Sequence, residues 1–232
     1  MKANLKINLP SQWLHNFPWK KKKDHKYSRG KLIIIGSQVN MTGSTILSAE
    51  AALRVGVGSV KLVCSKKTLP IYSSKFPSVL KEEINNLNSF KKFVIKEKKS
   101  IFLIGPGAGS NQLTKQKTKI ILKNTKFAVL DADALTCFKK NPKELYKLIN
   151  KNTIITPHIK EFHTIFPTIN KKYSNYQKII EAKKICKCNI VLKGSNTLIC
   201  SSQGNIVLNK HTSNELAVIG TGDVLSGIIS SL

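Results

Sequence analysis

Short, continuous runs of β-branched apolar residues recur along the chain, separated by stretches whose apolar positions fall three and four apart. The first run, Lys31 to Gly36 (KLIIIG), is apolar at successive positions and ends in glycine. Such a run predicts a strand buried on both faces. Thr42-Gly43 then opens a stretch with Ile46, Ala49, Leu53 and Val57 at helical spacing, closed by Gly56 and Gly58. Ser59 to Cys64 (SVKLVC) predicts a second strand, and similar signals recur at 101–104, 127–130, 153–155, 190–192, 197–200 and 206–208. Helix-length segments lie between most of them, notably 113–122, 142–149 and 173–186, with an apolar helical stretch over 224–232. Strands alternating with helices predict a mainly parallel sheet covered on both faces, an α/β fold. The short gap Ser202-Gln203-Gly204-Asn205 predicts a hairpin. Residues 1–30 read as an irregular lead-in, and one α/β domain accounts for the rest.

Charge changes this picture less than its size suggests. Among 232 residues, Lys and Arg number 39 against 12 Asp and Glu, a formal net charge of +27. Lysine patches attract phosphate backbones, but Arg29 and Arg54 are the only arginines, and Arg is the residue that reads bases bidentately. The lysines are spread along the chain; only Lys20 to Lys23 form a tight run. Nucleic-acid binding is therefore not the expected function, and Trp13 and Trp19 are expected to anchor the N-terminal segment. Five cysteines suggest no disulfide framework, and Cys186-x-Cys188 has the wrong spacing for zinc. The longest apolar runs fall far short of the roughly 18 residues of a membrane span. With no hydrophobic signal segment at the start, a cytoplasmic protein is expected.

In a doubly wound sheet, ligands bind beyond the carboxyl ends of the strands. Four glycine-rich or polar turns stand there: Gly36 to Ser44, Gly105 to Gly109, Lys193 to Thr197, and Gly220-Thr221-Gly222-Asp223. Neither a Walker sequence nor a G-x-G-x-x-G after the first strand is present. The last turn enters an apolar helix, so its N–H groups can converge on an anion. Asp223 beside such a hole can take a proton from a hydroxyl that attacks a phosphoryl group. As an alternative, Asp223 simply caps the helix.

At this point the sequence resembles the ADP-dependent NAD(P)H-hydrate dehydratase family of the ribokinase-like superfamily. The resemblance is carried by His25-Lys26-Tyr27-Ser28-Arg29-Gly30, Thr42-Gly43, Ala51 to Gly58, Gly105-Pro106-Gly107, Leu130 to Leu135, Thr156-Pro157-His158 with Glu161-Phe162, Lys193-Gly194 with Thr197, and Gly220 to Leu225. It implies a three-layer α/β/α fold over residues 25–232, with residues 1–24 as lead-in or linker. It also implies nucleotide-driven dehydration of the S epimer of NADH hydrate and NADPH hydrate. ADP would be the phosphoryl donor, with ATP as an alternative.

Residue by residue, the resemblance implies that Lys193, Gly194, Ser195, Asn196 and Thr197 contact the nucleotide and Gly222 its phosphates. Asp223 would act as the base at the hydrate, with Ser44, Gly107 and His158 lining the same pocket. Mg²⁺ would be held mostly by phosphate and water, with no direct protein ligand and Glu161 reaching it through water. His158 has a bland alternative: Thr156 caps a helix, Pro157 is its first residue, and Glu161 closes a box with His158. Asp131 and Asp133 are expected to cap the helix after their strand, in a structural or supporting role. Ile219, where relatives carry a small residue, is expected to narrow the phosphate loop. Leu232 falls within the helix opened by Gly222, so the chain is expected to stop short of the family's C-terminal helices. A homo-oligomer and an epimerase partner, separate or fused, are also expected. A small-molecule kinase of the thiazole or hydroxymethylpyrimidine type is the alternative within this fold.

Overall fold

The computed structural model describes residues 5–26 and 28–232; Tyr27, among the residues carrying the resemblance, and residues 1–4 of the lead-in lie outside them. Ten strands form one sheet: β1 Leu5–Ile7, β2 Lys31–Ile35, β3 Ser59–Cys64, β4 Leu80–Glu83, β5 Ile101–Ile104, β6 Phe127–Leu130, β7 Thr153–Ile155, β8 Asn189–Leu192, β9 Thr197–Cys200 and β10 Ile206–Asn209. Their order is β1-β10-β9-β8-β7-β6-β5-β2-β3-β4. All pairings are parallel except those of β9 with β8 and β10. The expected mainly parallel sheet with a late hairpin is therefore present.

The helices are α1 Thr42–Val55, α2 Leu69–Lys75, α3 Leu87–Lys96, α4 Gln112–Asn124, α5 Asp133–Thr136, α6 Pro142–Tyr146, α7 Ile159–Ile165, α8 Asn175–Ile185 and α9 Thr221–Ile229. The strand β2 shows why helices cover both faces. Successive side chains point to opposite sides of a strand, and both sets here are apolar. Ile33 and Ile35 join a core with Phe90 and Phe93 of α3, Ile121 of α4, Phe162 of α7 and Ile179 of α8. Leu32 and Ile34 join another with Ala49 and Ala52 of α1, Tyr72 of α2 and Ile229 of α9. The result is three layers.

Several elements lack the pattern that announced the others. The strand β1 has three exposed residues and forms by pairing with β10, so part of the expected irregular lead-in is strand. The strand β4 reads LKEE and has no apolar run. It is an edge, where charged side chains suit one open face. In α3, lysines interrupt the apolar stripe, yet Phe90, Phe93 and Val94 fall on one buried side and Asn86 caps the start.

The joint that matters most is between α1 and α9. A Cβ on Gly227 would lie 2.3 Å from the carbonyl oxygen of Ser48, so only glycine allows this approach. Ser48 Oγ donates to the carbonyl oxygens of Ser44 (3.0 Å) and Asp223 (2.9 Å). The start of α9 is thereby locked to the first turns of α1.

Candidate active site

The helix α9 begins at the carboxyl end of the sheet because Gly220 takes a left-handed turn (φ 97°) as its N-cap. Gly222 and Asp223 then lie in its first turn, where backbone N–H groups are unpaired and the helix dipole favours negative charge. Asp223 does not cap: the N-cap is Gly220, with no side-chain capping bond. Ser44, the third residue of α1, is a neighbour whose hydroxyl favours the ionised form of the Asp223 carboxylate. Burial pushes the Asp223 carboxyl above its ordinary value; Asp131 adds to the rise, while Ser44 and Lys193 oppose it.

Beside this turn lies a buried ion pair. Lys193 follows β8, and its Nζ donates to Asp131 Oδ1 at 2.8 Å, with Glu161 Oε2 4.0 Å away. Asp131 follows β6 and is 1% exposed; its other oxygen accepts from Ser226 Oγ of α9 at 2.9 Å. A Cβ on Gly222 would lie 3.5 Å from Lys193 Nζ, so the first turn of α9 passes close over the ammonium. Asp131 is thus not the helix cap the sequence suggested. The N-cap of α5 is Ala132, again without a side-chain bond. Asp133 Oδ2 instead accepts from the Gly109 N–H at 2.8 Å, tying the two post-strand loops together.

His158 caps α7 itself. Its Nδ1 accepts from the N–H groups of Lys160 (3.1 Å) and Glu161 (3.2 Å), while Glu161 Oε2 accepts from the His158 N–H at 2.8 Å. The helix starts at Ile159, so Thr156 is not its cap and Pro157 is not its first residue. An acceptor Nδ1 leaves any proton of a neutral ring on Nε2, 3.5 Å from Glu161 Oε1, and the side chain remains 48% exposed. Burial raises the Glu161 carboxyl above its usual range, against the His158 N–H and the charge of Lys193.

The other expected positions fall around this centre. Gly107 (φ 63°) packs against the loop leading into α1; a Cβ there would lie 2.9 Å from the Cβ atoms of Ser37 and Met41. Gly194, Ser195 and Asn196 form an exposed turn after Lys193. Thr197 closes this turn, its Oγ1 donating to the Gly194 carbonyl at 2.9 Å. Ile219 is fully exposed, its side chain in solvent, so it does not narrow the loop. The sequence missed Ser226, an ordinary-looking helix residue whose partner lies far away in the chain.

Among the described residues, no group of three His, Cys, Asp or Glu side chains is placed to hold a metal. Carboxylate oxygens suit a hard cation, but Glu161 already faces Lys193 and His158. That donor set fits a Mg²⁺ ion carried mainly by nucleotide phosphates and water. No helix among the described residues is long and apolar enough to cross a membrane.

The profile of the family described as NAD(P)H-hydrate dehydratase matches residues 32–232. The ADP-dependent (S)-NAD(P)H-hydrate dehydratase of Neisseria meningitidis is 30% identical over 225 residues, covering 94% of this chain and 74% of that protein. The bifunctional NAD(P)H-hydrate repair enzyme Nnr of Dictyoglomus turgidum is 31% identical over 94% of this chain and 46% of its own length. The chain therefore spans about half the length of such bifunctional relatives. Among solved structures, a ribokinase-like protein of Enterococcus faecalis superposes with a TM-score of 0.86 at 21% identity, covering all of this chain and 80% of the other. The ADP/ATP-dependent NAD(P)H-hydrate dehydratase of Bacillus subtilis, co-crystallised with ATP and Mg²⁺, gives 0.78 at 24% identity over 98% and 80%. The fold is ribokinase-like, and the chain belongs to the NAD(P)H-hydrate dehydratase family.

Proposed function

We propose that this chain dehydrates the S epimer of NADH hydrate and NADPH hydrate, using ADP or ATP as phosphoryl donor. The observation that carries the reading is the Asp223 carboxylate, half-buried on the first turn of α9 beside the Lys193–Asp131 ion pair. A carboxylate whose proton affinity is raised by burial is a better base for a hydroxyl than an exposed one.

Hydroxide leaves poorly, so transfer of the terminal phosphoryl group to the ring hydroxyl makes the leaving group phosphate. Asp223 would accept the hydroxyl proton as the new P–O bond forms and the donor is released one phosphate shorter. The unpaired N–H groups at the start of α9 would offset charge on the phosphates. The ring nitrogen lone pair then expels phosphate, and the departing phosphate takes a proton from the adjacent carbon, which restores the dihydropyridine. Lys193 and the exposed turn Gly194 to Asn196, with Thr197 closing it, would border the nucleotide, Gly222 its phosphates, and Ser44, Gly107 and His158 the hydrate. Mg²⁺, with Glu161 as an outer neighbour through water, would supply charge neutralisation on the phosphates. The R epimer would need an epimerase, fused or separate.

The test is recovery of dihydronicotinamide absorbance when purified chain meets NADPH hydrate, Mg²⁺ and ADP, with ATP in parallel. Asp223→Asn should fold and lose on the order of 10² to 10⁴ in kcat. A stable phosphorylated product would instead indicate a small-molecule kinase. Full activity in the Asn variant would remove Asp223 as base.

A further inference from the structure

We infer that Asp131 is a positioning residue: its buried carboxylate holds the Lys193 ammonium and the Ser226 hydroxyl together, and so sets the first turn of α9, with Asp223, against the turn after β8. The two oxygens of Asp131 serve different elements, Oδ1 accepting from Lys193 and Oδ2 from Ser226. One side chain thus joins the ends of β6 and β8 to a helix whose other anchor is α1. The single Ser226 hydroxyl proton is shared between Asp131 Oδ2 and the Gly222 carbonyl at 2.7 Å, so the same hydroxyl touches the proposed phosphate turn.

The approach is close on the other side too. A Cβ on Gly222 would lie 3.5 Å from Lys193 Nζ and 4.0 Å from Asp131 Oδ2. The ion pair therefore sits directly under the turn that carries Asp223. Lys193 has a second carboxylate available in Glu161, at 4.0 Å. Without the charge of Asp131, the ammonium would be drawn toward α7 and away from α9.

The backbone supports the same reading. Ala132, next to Asp131, adopts φ 44° and ψ −114°, the one positive φ outside glycine among the described residues. Strained conformations of this kind persist where flanking groups over-determine them. Here the flanking groups are Asp131 on Lys193 and Ser226, and Asp133 on Gly109. Asp131 is too buried to meet substrate, so it would act through Lys193 and α9.

The inference rests on the proposed dehydration for its kinetic arm only. Asp131→Asn keeps the shape and an acceptor oxygen but removes the charge; Lys193→Met removes the ammonium. Asp131→Asn should lower kcat about 10- to 100-fold, with the hydrate KM little changed, as expected when a reacting group is displaced. Because the two residues act as one, the double variant should be no slower than the slower single variant. A double variant showing the product of the two losses, or a kcat per folded molecule equal to wild type, overturns the inference. A second arm needs no substrate. The ¹⁵N signal of the Lys193 ammonium should change its chemical shift in Asp131→Asn, as the ammonium passes from Asp131 to Glu161. An unchanged signal also overturns it. Absence of hydrate turnover in the wild type would remove the proposed function and leave the ammonium measurement to decide this inference.

Discussion

Two of the charge clusters among the described residues have opposite balance. Beside α3, Glu97 meets two lysines, Lys31 at 2.7 Å and Lys61 at 3.5 Å, and Lys61 also reaches Glu82 at 3.1 Å. At the carboxyl end of the sheet, one lysine, Lys193, meets Asp131 at 2.8 Å and Glu161 at 4.0 Å, with Asp223 close by. Proton affinities follow. Burial works against the ionised form of Glu97, but Lys31 and then Lys61 outweigh it and hold the carboxyl below its usual range. Glu161 and Asp223 go the other way, raised first by burial and further by Asp131. In the first cluster, folding favours the ionised carboxylate. In the second, folding opposes ionisation of Glu161 and Asp223, a kind of shift that is common at catalytic sites.

The strongest way to break the comparison is to remove the central carboxylate from each cluster. Asp131→Ala leaves the Lys193 ammonium and the Ser226 hydroxyl beneath α9 without their shared partner. Losing one member of a buried pair costs about 3–5 kcal/mol. Glu97→Ala should cost about 1 kcal/mol, because the Lys31 side chain is 32% exposed and Lys61 retains Glu82. Chemical denaturation of the two variants gives both numbers. Equal losses would erase the distinction between the clusters.

The pH dependence sharpens the contrast, since the signs differ. Glu97 has a lowered pKa, so its stabilisation is present above the unfolded carboxylate range of roughly 4 and disappears as pH falls through the folded value. The stability gap between wild type and Glu97→Gln, on the order of 1 kcal/mol at neutral pH, should therefore close on acidification. Asp223 has a raised pKa, so the protonated form favours the folded state and that contribution is lost as pH rises through the folded value. Asp223→Asn should gain stability relative to wild type over that rise. Parallel melts from acid to neutral pH check both; two gaps moving in the same direction would contradict the assignment.

The same contrast explains what could be read in the sequence. The run at β2 is apolar on both faces, so its local composition already dictates a buried strand. The glycines at the start of α9 announce a turn, and Asp223 follows directly. Asp131 carries no such signature: an aspartate after a strand looks like a cap, and its partners lie 62 and 95 residues further on. Only the parallel sheet brings those three positions together. The cap of α7 was obscured for a different reason. Thr156 is a common capping type, but the chain runs on extended to His158, which makes a parallel bridge with Lys193, so the boundary falls there. The edge strand β4 is legible only from its partner β3, because charged residues on an edge resemble a loop.

The smallest expected effect lies at Ala132. Its φ of 44° with ψ of −114° falls in a region that L side chains rarely occupy, with a strain of about 1–3 kcal/mol. Glycine adopts it freely but loses more backbone freedom on folding, an opposing term of about 0.5–1 kcal/mol. Ala132→Gly should therefore stabilise the protein by about 1 kcal/mol, seen as a higher Tm. The anchors on either side, Asp131 to Lys193 and Asp133 to Gly109, do not involve the Ala132 side chain. Turnover in the Gly variant should thus stay within a few-fold of wild type. A lower Tm would mean that the conformation is held without strain. A raised Tm with a large fall in turnover would mean instead that the stiffness of this one residue helps keep Asp131 under α9, adding a backbone component to the site's half of the comparison.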